Sequence, residues 1–120
     1  MSDDGKTALL NAAAIIGEYY AYLAEALRRV YDPGAAAQVS EEQFDARLGD
    51  IRAALAPILE RNRVVQENLE SIDRTVTRIR KEAQGKETRA AALQEAQKFY
   101  SDISQRARTV SDLVGLFRRL

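Results

Sequence analysis

Cysteine and histidine are both absent from this chain of 120 residues, as is tryptophan. Without cysteine there is no disulfide framework, no thiolate nucleophile and no sulfur metal site. Without histidine, imidazole catalysis, a His-containing zinc site and a phosphorelay histidine are excluded. Only two prolines and six glycines interrupt the chain, so long uninterrupted elements are expected. No apolar run approaches the roughly 18 residues of a spanning helix, and the acidic start MSDDGK is unlike the basic head of a signal peptide. The default expectation is a soluble, cytoplasmic protein.

What is present is apolar and charged in balance. Hydrophobic residues make up 46% and charged residues 30%, which favours a folded helical domain over a disordered chain. The length suits a single domain spanning residues 1–120. Net charge is zero, yet residues 1–60 hold five basic and ten acidic side chains, leaving −5 there and +5 in the remainder. Antiparallel helices that pair acidic with basic faces produce such asymmetry, and so does a surface for nucleic acid or an acidic partner; the structural reading is preferred.

Local signals divide the chain into helices over about 7–31, 40–84 and 87–118. Asp3, Asp4 and Thr7 are candidate N-terminal acceptors for the first, and Asp32-Pro33-Gly34 stops it. Ala13, Tyr20 and Leu27 alternate with Leu9, Ile16, Leu23 and Val30 at heptad spacing. After a short connector, Ala35 to Gln38, Ser40 and Gln43 fit a capping box, with Val39 and Phe44 at the positions of a hydrophobic staple.

From Phe44 to Ala83 the heptad holds phase: Leu48, Leu55, Asn62, Leu69, Val76 and Ala83 form one seam position, and Phe44, Ile51, Ile58, Val65, Ile72 and Ile79 the other. Pro57 lies off that seam, so the spacing predicts one helix kinked at Pro57, about 60 Å long at 1.5 Å per residue. A break at Ala56-Pro57, giving four helices, is the alternative, because an interior proline costs about 3 kcal/mol. Asn62 falls on the seam, where a lone amide would fix register and helix number. Gln84-Gly85 ends the segment, and the last helix repeats Leu93, Tyr100, Ala107 and Val114 against Ala96, Ile103, Val110 and Phe117.

The expected architecture is therefore all-α: an antiparallel three-helix coiled-coil bundle whose long middle helix leaves apolar seam uncovered at one end. Leu113, Leu116 and Leu120 widen the apolar face of the last helix beyond a narrow seam, and together with Val110, Val114 and Phe117 they are candidate partner-binding residues, with closure of the bundle or of a homodimer as the other reading. Tyr19 and Tyr22 flank the seam residue Tyr20 and are candidate contact residues, with core or edge packing as the plain alternative.

Chemistry is harder to assemble. No Gly-rich phosphate loop and no nucleophile motif occurs, and the carboxylates fall at helix starts or on polar faces. Glu60, Glu67 and Glu70 could share a stripe but lack a histidine partner for metal binding. No enzyme and no cofactor are expected. Arg74, Arg78 and Lys81 share a helix face and could follow a phosphate backbone, yet interleaved aromatics are missing, so a salt-bridged surface with Asp73, Glu82 and Glu87 is preferred.

The segment RNRVVQENLESIDRTVTRI, Arg61 to Ile79, resembles the asparagine-arginine start and leucine-rich stretch of flagellar type III export chaperones of the FlgN type. The order of short, long and C-terminal helix is also similar, and the resemblance covers about the last half of the chain. It implies a chaperone or adaptor that shields an amphipathic segment of an export substrate. The family's glycine-containing tail has no counterpart beyond Phe99-Tyr100-Ser101. A homo-oligomeric coiled-coil scaffold and a small helical subunit of a nucleoprotein complex are the alternatives.

Overall fold

A computed structural model describes residues 3–32, 34 and 39–120. They form four helices and no strand: α1 (Asp3–Tyr31), α2 (Glu41–Leu59), α3 (Arg63–Glu82) and α4 (Arg89–Arg118). The side chains of Asp3 and Asp4, together with Pro33 and the connector 35–38, lie outside the described residues, and so do the capping and stop signals assigned to them.

The second boundary follows its signal. Ser40 accepts from the Gln43 backbone N–H, and the Gln43 side chain accepts from the Ser40 N–H, which completes the capping box. Glu41 and Glu42 fall in the first turn, where the helix dipole favours negative charge.

The long middle helix does not form. The chain makes two helices there, as in the four-helix alternative, but the turn is Glu60-Arg61-Asn62 and not Ala56-Pro57. Pro57 sits inside the last turn of α2. Its missing N–H deprives only one exposed carbonyl there, so the helix continues two residues beyond it and then tightens. Arg61 N–H reaches Ile58 O at 3.3 Å and Asn62 N–H reaches Leu59 O at 3.1 Å, both bonds spanning three residues. Asn62 then caps α3, its side-chain oxygen accepting from the Val65 N–H at 3.2 Å. Asn62 is thus an exposed N-cap and not a register-fixing seam residue.

Unbroken heptad phase is a poor guide to helix continuity here for a simple reason. A three-residue turn keeps Ile58 and Val65 seven apart, so the pattern reads through while the chain reverses. Phe44, Leu48, Ile51 and Leu55 point inward from α2, and Leu69, Val76 and Ile79 from α3.

The helices run up, down, up and down. Glu18 faces Arg47, Arg52 faces Asp73, Arg78 faces Glu95 and Tyr31 meets Tyr100, each pair joining antiparallel neighbours. α1 and α4 form the most extensively packed pair. They approach closely where Gly17 meets Val110, whose Cγ1 would lie 3.1 Å from any Cβ at position 17. The molecule measures 54 × 26 × 24 Å, a cross-section two helices wide in each direction. No described helix is long and apolar enough to cross a membrane.

Candidate functional site

The core is confined to part of the bundle. Among the described residues, the buried cluster and the side chains packed on it include nothing on α1 before Ile15 and nothing on α4 after Ile103. The α2–α3 hairpin turns at 60–62, while α1 and α4, with 29 and 30 residues, continue past it as a pair. The projection is therefore built from the first and last helices, whereas the sequence pattern assigns it to the middle one.

This two-helix end is apolar. Leu9 is 51% exposed, Leu113 47%, Leu116 56%, Phe117 45% and Leu120 84%. Lys6, Leu9, Leu10, Phe117 and Leu120 line a groove of about 280 Å³ between the two helices. On another side, small residues including Ala14, Gly17, Ala107 and Gly115 line a trough of about 510 Å³.

The six candidates on α4 divide by helical phase. Val114 is buried and Val110 packs over Gly17, so these two hold α4 to α1. Leu113, Leu116, Phe117 and Leu120 face outward. Leu9 belongs with them; its seam position conceals this, since only the antiparallel pairing of α1 with α4 sets it beside Phe117.

The tyrosine candidates turn inward. Tyr19 is buried to 4% exposure, whereas the seam residue Tyr20 is only half-buried, the reverse of the expected order. Tyr22 is half-buried and stacks on Phe44 with ring centroids 5.6 Å apart. Arg29 and Arg80 also lie over Phe44, at 4.8 and 5.7 Å from the ring centre.

Tyr19 instead joins a polar cluster that sequence reasoning misses. Its hydroxyl donates to Asp73, which also receives two bonds of 2.8 Å from Arg52 and one of 3.2 Å from Thr77. Burial pushes the Asp73 carboxyl up, but the bonds from Arg52, Tyr19 and Thr77 outweigh it and hold the group below its ordinary 3.8. Burial, then the bond to Asp73, raises the Tyr19 hydroxyl well above its ordinary 10.0. The groups of this cluster are occupied by bonds between helices, an arrangement suited to fastening α1, α2 and α3 together.

The basic stretch is paired in part, through Arg78 and Arg80. Arg78 binds Glu95 at 2.8 Å and Glu82 at 2.9 Å, and Arg80 binds Asp45 and Glu41. Arg74 and Lys81 are exposed. A face whose central guanidinium lies between two carboxylates is poorly suited to tracking phosphates. Glu60, Glu67 and Glu70 are exposed, and the described residues contain no cluster of three or more potential metal-binding side chains.

No family model, curated protein or solved structure matches the chain.

Proposed function

We propose that the chain is a non-enzymatic helical interaction module, a cytoplasmic adaptor whose bundle presents the apolar α1–α4 end to a helical protein surface. One observation carries this reading: Leu113, Leu116, Phe117 and Leu120 stand exposed on the helix surface beyond the core, together with Leu9. Exposing that much contiguous apolar surface is unfavourable in water, and packing against another helix removes the cost. Asp73, Tyr19 and Arg52 bond to one another between helices, which fits a fastening role for the cluster. The resemblance to export chaperones fits the same class of activity, with an amphipathic substrate segment as the occupant.

Site-specific photocrosslinking in cells tests this. A benzoylphenylalanine at Leu116 should yield protein adducts that the same group at exposed Ala53 on α2 does not. Equal, background-level labelling at the two positions would rule the end out as an interaction surface.

A further inference from the structure

We infer that the occupant of this end is a second copy of the same chain, docked antiparallel through the last turns of α4. The inference rests on the interaction reading above and names its partner.

The exposed stripe is the continuation of a helix-packing face. Phe99 and Arg106 line the groove between α4 and α3 together with Ile72 and Thr75. Steps of seven residues, two helical turns, carry that face from Phe99 through Arg106 to Leu113 and Leu120. Beyond the start of α3 at Arg63, α1 still runs beside α4 on its Val110 and Val114 side, while Leu113 stays 47% exposed. Val64, 73% exposed, lies seven residues before Ser71, which lines the same groove, so the apolar face reaches across the step onto α3. What fits such a face is a helix laid where α3 leaves off.

A second copy supplies one by symmetry. Each molecule has a pair of helices projecting beyond a shorter hairpin, so two molecules related by a two-fold axis can set each projecting pair in the step left by the other's hairpin. The four-helix cross-section then continues through the junction. Such an isologous contact needs one surface to match itself.

Charge selects both the partner and its polarity. Asp112 and Arg119 are exposed, four residues before and three after Leu116, on the outer edge of the leucine stripe. Antiparallel crossing at Leu116 brings Asp112 opposite Arg119 of the second copy, and the symmetry repeats the pair. A parallel two-fold pair would set this edge against the opposite edge of the partner's stripe, so neither Asp112 nor Arg119 would meet its counter-charge.

Sedimentation equilibrium of the full chain from about 1 μM to about 1 mM, a range of dissociation constants that weak and moderate dimers occupy, tests the inference with four proteins that vary the charge pair and a fifth that removes the leucine contact. The unsubstituted chain should dimerise. Asp112→Arg and Arg119→Asp alone should each weaken the dimer roughly tenfold, because each replaces two attractions by two repulsions. The double variant should return to within about threefold of the original, a rescue that an unrelated partner would not produce. Circular dichroism should be unchanged in all four, since both side chains are exposed. Leu116→Glu should abolish the dimer and keep the helicity. A chain that stays monomeric while Leu116 crosslinks a different protein overturns the second-copy inference and leaves the interaction reading standing. A dimer indifferent to the charge swaps overturns the antiparallel α4 contact. A monomer with no crosslinks at Leu116 overturns both.

Discussion

Arg52 holds Asp73 through two parallel hydrogen bonds of 2.8 Å, tying α2 to α3 at the point where Tyr19 of α1 also reaches the carboxylate. The three residues are far apart in sequence, and no heptad position marks them as a set. Replacing Asp73 by Asn should destabilise the fold by about 1–3 kcal/mol, because it removes a charge-assisted pair. Tyr19→Phe should cost about 1 kcal/mol, the worth of one hydrogen bond. Urea unfolding of the two variants would check both values.

The same cluster sets a pH dependence at both ends of the scale. Asp73 titrates lower in the folded chain than its ordinary 3.8, so its contribution is present above that value and fades as pH falls through the folded pKa. Tyr19 titrates higher than its ordinary 10.0, so its contribution is present below that value and fades as pH rises beyond it. Stability measured against pH should fall in both windows. Asp73→Asn should flatten the acid limb and Tyr19→Phe the alkaline one.

Asn62→Ala should lower stability by about 1 kcal/mol through loss of the α3 cap and should leave the oligomeric state unchanged. Asn62→Leu should likewise not alter the molecular mass in light scattering. A change of mass would restore the amide to a seam between helices.

Two helical glycines should respond in opposite directions. Gly49 is exposed on α2, and a Cβ added there would meet nothing within 4 Å, so Gly49→Ala should stabilise by about 0.5–1 kcal/mol. Gly17→Val should destabilise by about 1–3 kcal/mol, since Val110 leaves no room and α1 would have to move off α4. Thermal melts of both variants decide this.

Truncation after Arg108 should retain the buried cluster, whose last α4 member is Ile103, and release the start of α1. Amide exchange should show protection kept from Tyr19 to Leu27 and lost from Gly5 to Ala14. Protection persisting along Gly5–Ala14 would mean that the first turns of α1 do not depend on Val110, Val114 and Phe117.

Much of the secondary structure is legible locally, because its causes are local. Ser40 and Gln43 announce the start of α2, and the apolar spacing identifies which faces of α2 and α3 turn inward. The site is legible only in part. The surplus of Leu113, Leu116, Phe117 and Leu120 stands out on α4, but the same spacing cannot separate them from Val110 and Val114, because each direction on a helix is buried or exposed only by what lies beside it.

The amino-acid sequence by itself determined an all-helical chain, the capping box at Ser40, the break near Gly85 and an apolar excess in the last helix. Tertiary structure decided that the middle segment folds back at 60–62, that Tyr19 goes inside, and that α1 and α4 carry the uncovered end. The physical reason is that heptad spacing records which residues seek a neighbour, whereas chain reversal and helix length determine which neighbour is there.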